Sequence, residues 1–425
     1  MVRIAVFITL VLCLVIPSKC IDPNVAINFA VRKYTQLSEQ LSEDDPSTGF
    51  ITTADPTKTT WYKTDVMDWT VGFYGGSLWT LYALTHDDHW KDLAEEYQER
   101  IKLRQYDTST HDVGFVIMTT YGLCREYTGT ETLAIIKQTA ESLSTRFYPT
   151  VRVMRSWNNG AGDNADEIKV IADNMMNLEL LYTAAKLTGN ETFSSIATSH
   201  ADRTIEEHFR NNGSSGTYHV VAFSERTGEV LRKYNAQGLR DNSTWSRGLA
   251  WTTHGFITSY ILSNHQRYLE YAIIAGNYFL SHLPYDFVPY WDFDADITAS
   301  YQPRDTAAGA IASHAFLKIY QVTRDAKWFD AADRILENLN TRYRSDGSDQ
   351  YKINSILVNG TVFFHQGNFN TAIVYADFYF LQAVKLYREI LQENSNSSNH
   401  LAISKSLVGV FCVFLMKVYH NGAEY

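Results

Sequence analysis

Apolar positions spaced three and four apart recur along most of this chain, and short polar breaks divide them into pairs. Residues 76–101, GSLWTLYALTHDDHWKDLAEEYQERI, run apolar, break at THDD and resume. The arrangement returns at 114–143, 177–205, 254–283 and 309–339, and its first half alone at Thr371–Leu391. In the first, second, third and fifth copies the break has one chemistry, as in Leu187–Thr192 and Gln321–Lys327: Thr, then Gly or Asp, then a helix start. A helix pair of this kind cannot bury its own apolar face, so the units must stack, as an open solenoid or as a closed ring. The segments between them, 61–76, 104–114, 146–172, 211–253, 285–308 and 344–370, are long and rich in Gly and Trp. Connections of that length are usually functional, and gathered at one end of a ring they form a cleft. The pattern predicts an all-α fold, an (α/α)6 barrel of six helical hairpins closed into a toroid. Thr217–Phe223 and Glu229–Lys233 read as two strands about a turn at Arg226–Gly228, a small β-hairpin insert at the rim. Ile27–Leu41 has helical spacing, and 44–60 reads as a loop.

The stretch Ile168–Gly189, IKVIADNMMNLELLYTAAKLTG, reads as one amphipathic helix on which Asp173, Asn177 and Leu180 share a face. An acid and an amide then stand where a core helix carries apolar groups. A buried carboxylate is costly unless it is hydrogen-bonded or has chemistry to do. Spacing alone leaves both readings open.

The two ends differ from this pattern. MVRIAVFITLVLCLVIPSKC reads as a secretory signal peptide, with Arg3 before the apolar run Ile4–Ile16 and small residues near Cys20. Residues 21–392 are then expected to form the barrel domain. Residues 393–425 read as a polar linker followed by the apolar run Leu407–Met416, too short to span a bilayer. A lipid-anchor signal is the minority reading of this tail. With a signal peptide, Asn190, Asn212, Asn242, Asn359 and Asn396 become glycosylation sequons. Asn242 falls inside the site segment below and is not expected to carry a glycan. The implied destinations are the cell exterior or the lysosome.

The formal charge of −10 argues against nucleic acid and against a broad basic groove for a polyanion. An acidic ligand must be held by a few local donors. Of four Cys, Cys13 and Cys20 belong to the leader, so no disulfide framework or zinc spacing remains. No phosphate loop or dinucleotide fingerprint is present, and His111 and His365 lack partners at metal-ligand spacing. No cofactor is expected.

Asp112, in TSTHDVGF, opens the second repeat after Thr110, a credible helix cap. Asp in a first helical turn is favoured by the dipole alone. Asp173 lies near the matching start of the third repeat, so both carboxylates are expected at the same barrel end. Two carboxylates at one mouth are the minimum for glycosidic cleavage. QGLRDNSTWSRGLAW adds Gln237, Trp245, Arg247 and Trp251. With a helix starting near Ser246, Arg247 and Trp251 face the same way. Arg can fork onto a carboxylate and Trp can stack on a sugar; an Arg packed over core indoles is the equal alternative. His219 lies on the hairpin and can face either way, and Trp69 precedes the first repeat at the loop end.

WTVGFYGGSLW, THDVGF, ADNMMNLELLYTAAKLTG, QGLRDNSTWSRGLAW and PRDTAAGAIAS, in that order over about residues 60 to 390, resemble the unsaturated glucuronyl hydrolases, glycoside hydrolase family 88. The resemblance implies an (α/α)6 barrel acting on oligosaccharides with a 4,5-unsaturated uronic acid at the non-reducing end, the products of lyases on glycosaminoglycans. It implies Asp173 as general acid and base, and Asp112 as the second essential carboxylate. Trp69, His219, Gln237, Trp245, Arg247 and Trp251 fall on the pocket for the unsaturated sugar. The family segment that senses sulfate or N-acetyl groups finds no match near 345–366. The implied substrate is a vinyl ether. Protonation at C4 gives an oxocarbenium-like ion at C5, water adds there, and the hemiketal opens to release the aglycone. The same barrel also accommodates an unsaturated rhamnogalacturonyl hydrolase, an inverting glycosidase or an idle sugar-binding protein.

Overall fold

The computed structural model describes residues 20–43, 49–160, 164–210 and 215–396. Residues 1–19 of the leader, Asn212 and the run Leu407–Met416 lie outside these residues.

Two kinds of helix alternate along the chain, and burial separates them. Helices α1 (Pro23–Ser42), α3 (Asp88–Ile101), α6 (Leu133–Ser144), α8 (Glu191–Glu207), α10 (Gln266–Ser281) and α12 (Ala326–Arg342) bury one stripe and leave the other face wet. Helices α2 (Gly72–Thr85), α7 (Leu178–Thr188), α9 (Ser246–Ser263) and α11 (Thr306–Thr323) are the inner partners. Between α2 and α7 an inner helix runs as α4 (Val113–Ile117) and α5 (Leu123–Thr128), joined by a π-helical turn over Met118–Gly122. In α9 burial is unbroken from Ser246 to Ser259, and in α11 from Thr306 to Leu317. A helix buried on all sides belongs inside a shell of others. Residues 374–396 supply the sixth inner helix. It closes the ring: Gln382 Nε2 donates to Thr80 Oγ1 of α2 (2.7 Å), and Arg388 donates to the Leu84 carbonyl (3.1 Å). The fold is an (α/α)6 barrel.

The repeated Thr has a structural meaning. Thr85, Thr128, Thr188 and Thr323 each donate to the carbonyl four residues back and accept from the N–H two residues on. The residue between, His86, Gly129, Gly189 or Arg324, is left-handed. One hydroxyl therefore satisfies an end carbonyl of the inner helix and fixes the start of the outer one. Ser263 and Asn264 do the same in the fourth copy.

Short strands occupy the opposite, loop-bearing mouth. β1 (Phe50–Ile51) pairs with β3 (Lys63–Thr64), and β4 (Phe147–Tyr148) with β5 (Val153–Met154). β2 (Thr53–Ala54), β10 (Asn368–Ile373) and β9 (Gly360–Phe363) form one antiparallel sheet, and β6 (Glu167–Ile171), β7 (Val220–Ser224) and β8 (Val230–Tyr234) another.

Two expectations are corrected. Ile168–Gly189 is not one helix: it is strand β6, a 3-10 turn over Ala172–Asn177, and α7. Ile168, Val170 and Ile171 are β-branched and take up a ladder with β7, which overrides the helical period of the residues behind them. The predicted hairpin is therefore two strands of a three-stranded sheet. The sixth inner helix also continues to residue 396, through the first residues of the expected linker.

Candidate active site

The site is assembled where β6 ends. Ile171 pairs with Val220, and the ladder continues as Ala172 N donates to the His219 carbonyl (2.9 Å). That register sets Asp173, the next residue, beside the His219 side chain. Asp173 Oδ2 and His219 Nε2 are 3.5 Å apart, with side-chain exposures of 11% and 0%. The separation gives electrostatic pairing without a hydrogen bond. Among the described residues neither that oxygen nor either His219 nitrogen has a hydrogen-bond partner. Three hydrogen-bonding atoms thus meet at the end of β6 without a partner in the protein.

Neighbours hold this pair rigidly. Ser156 Oγ accepts from Ile171 N (3.0 Å) and from Asn174 Nδ2 (3.2 Å), which also donates to the Met154 carbonyl. The His219 ring sits 4.6 Å from Trp245 and edge-on to Trp157 at 5.9 Å.

Asp112 stands at the start of α4, 16% exposed, and is held differently. Thr110 Oγ1 donates to Oδ2 (2.7 Å), and the buried His111 Nε2 lies 3.3 Å from Oδ1. Thr110 thus braces the carboxylate and does not cap the helix. Asn177 ties this corner to Asp173: its Oδ1 accepts from Phe115 N (2.8 Å) and its Nδ2 lies 3.4 Å from His111 Nδ1. Gly114 permits the approach, since a Cβ there would meet Asn177 Oδ1 at 2.5 Å. The two carboxylates stand at one mouth, one braced by the protein and one not.

Arg247, in the first turn of α9, is 2% exposed. Its Nη1 donates to Asp305 Oδ2 (2.5 Å) and to the Thr361 carbonyl. Its Nη2 donates to Gln237 Oε1 (3.0 Å) and to the Val362 carbonyl (2.8 Å). The guanidinium does not fork onto one carboxylate: Nη1 takes Asp305, the N-cap of α11, Nη2 takes Gln237, and the group lies over the Trp245 indole, the alternative weighed from the sequence. Arg247 also fixes the Gln237 amide so that Nε2 is its outward donor. Burial opposes the Arg247 charge, but Tyr375, Asp305 and Asp173 outweigh it and raise the group above its ordinary value.

The indoles divide by depth. Trp69 is half-buried, with its ring 5.0 Å from Tyr375 and 5.6 Å from Phe115. Trp245 lies between the Arg247 guanidinium at 4.6 Å and His219. Trp251, expected to stack on sugar, is fully buried against Phe115 and Tyr379, each at 5.2 Å. One helical turn below Arg247 is already the barrel interior, so Trp251 is floor. The sequence reading did not single out Trp157, Asn174, Asp305 or Tyr375. Asp305 alone had a local signal, an acid immediately before an Ala-rich helix.

An (α/α)6 barrel with an unpartnered buried Asp–His pair and a second, braced Asp at its mouth defines a glycoside hydrolase. An unsaturated glucuronyl hydrolase of Formosa agariphila is 34% identical over 342 residues, covering 78% of this chain and 82% of that protein. The chain belongs to the unsaturated glucuronyl hydrolases, glycoside hydrolase family 88. An unsaturated chondroitin disaccharide hydrolase of Streptococcus agalactiae is 29% identical over 341 residues, 76% of this chain and 83% of that one. The crystal structure of an unsaturated glucuronyl hydrolase specific for heparin superposes with a TM-score of 0.80 at 30% identity, covering 87% of this chain and 99% of that one. The Bacillus sp. GL1 enzyme shares the fold, with a TM-score of 0.76 at 24% identity over 85% of this chain and 96% of that one. No family model matches the chain.

Proposed function

We propose that this hydrolase removes a 4,5-unsaturated uronic acid from the non-reducing end of lyase-derived glycosaminoglycan oligosaccharides, with Asp173 as general acid and base. The relatives named for chondroitin disaccharides and for heparin support that substrate class. The observation that carries the reading is the buried, unpartnered Asp173–His219 pair beside the braced Asp112. Asp173 delivers a proton to C4 of the vinyl ether, and the electron pair of the ring oxygen moves to stabilise the cation at C5. Asp173, now ionised, takes a proton from the water that adds to C5. The hemiketal opens and the aglycone leaves. Gln237 Nε2 supplies a donor for the uronyl carboxylate, Asp112 orients the sugar, Trp69 offers a ring face, and the fully buried His219 acts on the substrate through Asp173. Arg247, Trp245 and Trp251 act from behind, as positioning residues.

The test is a panel of unsaturated chondroitin, hyaluronan and heparin disaccharides, followed through loss of the C4=C5 chromophore. Asp173→Asn is expected to lower kcat by about 10²–10⁴, the usual weight of general acid–base catalysis. Full activity in that variant overturns the assignment.

We further propose that residues 1–20 direct the chain into the secretory route and that the barrel is a glycoprotein. Asn190 and Asn396 are exposed and are the sites proposed to carry sugar; Asn242, though exposed, accepts from Arg240 within the site segment and is expected to stay bare, and Asn359 is half-buried and accepts from the Tyr351 hydroxyl. N-terminal sequencing and glycosidase shifts of the secreted protein check this; a chain retaining its first residues and bare of sugar sinks it.

A further inference from the structure

The β9–β10 hairpin has two working sides. One closes on the site, through the Thr361 and Val362 carbonyls on Arg247 and through His365 Nε2, which donates to the Gly238 carbonyl (2.8 Å) next to Gln237. The other side begins at the next residue, Gln366, and opens into a cavity of about 680 Å³. Ligand pockets run from roughly 300 to 1,000 Å³.

The lining has one chemistry. Three rings, Tyr62, Tyr351 and Phe369, stand among the amides Gln350, Gln366 and Asn368. Tyr62 is 58% exposed, so its ring is no part of the core. Two further amides are pre-oriented: Asn359 Oδ1 accepts from Tyr351 OH (3.1 Å) and Asn370 Oδ1 from Tyr301 OH (2.5 Å), leaving their NH2 groups as donors. No Lys, Arg or Glu is among the described lining residues, and the one carboxylate is Asp55. Hydrogen bonds from the Thr57 hydroxyl and N–H keep Asp55 below the usual carboxylate range. Rings suit the C–H face of a pyranose, and amides suit hydroxyl and acetamido groups. The cation nearest this carboxylate, Lys58, is already paired with it at 3.7 Å, so a sulfate or carboxylate would meet a neutralised pair and no free positive charge among the described lining residues.

We propose that this cavity is an outer subsite for an uncharged sugar unit, a neutral hexose or an unsulfated N-acetylhexosamine, in substrates longer than a disaccharide. The proposal rests on the function argued above, with the reducing end of the chain leaving over the tip at His365.

The experiment compares unsaturated di- and tetrasaccharides from hyaluronan with a sulfated heparin tetrasaccharide, using the full chain and its Tyr62→Ala and Gln350→Ala variants. The wild type is expected to show a lower KM for the hyaluronan tetrasaccharide than for the disaccharide. Tyr62→Ala should raise that tetrasaccharide KM by about fivefold to tenfold at unchanged kcat, the mark of lost uniform binding, and leave the disaccharide constants alone. Equal KM for the two lengths, an equal effect of the variants on both, or a sulfated chain that profits more overturns the subsite. Calorimetric titration with the neutral, saturated N-acetylglucosamine trisaccharide tests the cavity without turnover: binding weakened by Tyr62→Ala supports it, and no binding overturns it. Absence of turnover on every unsaturated disaccharide overturns the functional reading by itself.

Discussion

A guanidinium enclosed by Asp305, Gln237 and two carbonyls cannot be exchanged for another cation without consequence. Lys is a point charge and cannot serve Asp305 and Gln237 through a planar fork. Arg247→Ala leaves the fully buried Asp305 carboxylate without its charge partner, and breaking a buried pair on one side costs about 3–5 kcal/mol. Burial already pushes the Asp305 carboxyl up, with the Arg247 charge acting against it. Arg247→Ala and Arg247→Lys are therefore expected to lower Tm and kcat/KM together. Gln237→Ala takes one acceptor from Arg247 but leaves the Asp305 pair and both carbonyls in place, so it should raise KM with a smaller loss of Tm than either Arg247 variant. Thermal denaturation beside steady-state kinetics separates the two patterns. An Arg247→Lys protein of wild-type Tm with a raised KM alone would place Arg247 on the substrate after all.

At the level of elements, the interhelical turns carry a second prediction. The hydroxyl of Thr188 makes two backbone hydrogen bonds, to Ala184 O (2.6 Å) and from Asn190 N (3.2 Å). Thr188→Val keeps the shape and loses both, for about 1–2 kcal/mol at roughly 1 kcal/mol per bond. His86 is an exposed non-glycine residue in the left-handed region, φ 56°. His86→Gly removes a steric penalty of about 1 kcal/mol and should stabilise. Urea denaturation of both variants reads opposite signs; equal signs would refute the account of the turn. These turns were legible in the sequence because everything they need lies within six residues. The barrel was legible for the same reason, as a repeat of local helix pairs. The strand inside Ile168–Gly189 was not, because its partner β7 is some fifty residues away and periodicity reports no such pairing. The meeting of Asp173 with His219 follows from that β6–β7 register, so spacing left His219 undecided between two faces. Trp251 was placed on the same helical face as Arg247, which holds. Its depth depends on Phe115 and Tyr379 from other hairpins, which no local pattern displays.

The whole barrel carries a pH dependence set by buried histidines other than His219. Burial depresses His200 to about 3, with His208 and His111 adding to the effect. Burial depresses His208 to about 4, against a hydrogen bond to the Tyr218 carbonyl and with Lys233 assisting. His254 and His314, 3.0 Å apart inside the ring, are pushed well below the ordinary value by burial and by Lys318. Each is buried neutral in the folded protein but protonates near 6.5 once unfolded. Between those limits the unfolded chain binds more protons, so stability is present above pH 6.5 and is lost as pH falls towards the folded values. At pH 5, His200 and His208 cost about 2 kcal/mol each, from 1.36 kcal/mol per pH unit, and His254 and His314 act in the same direction. Total stability of a domain is only about 5–15 kcal/mol. Asp377 acts the other way: burial raises its carboxyl to about 7, so the folded chain keeps a proton there that the unfolded chain has released, and this group adds stability as pH falls. Four buried histidines outweigh that one carboxyl, and the net expectation is a barrel less stable at pH 5 than at pH 7.5. Thermal melts at pH 7.5, 6 and 5 are expected to fall steeply over the last step. His200→Gln and His208→Gln, which retain a polar side chain without the titrating ring, should flatten that fall. A Tm that holds or rises down to pH 5 would show that the buried carboxyls, Asp377 first, outweigh the histidines.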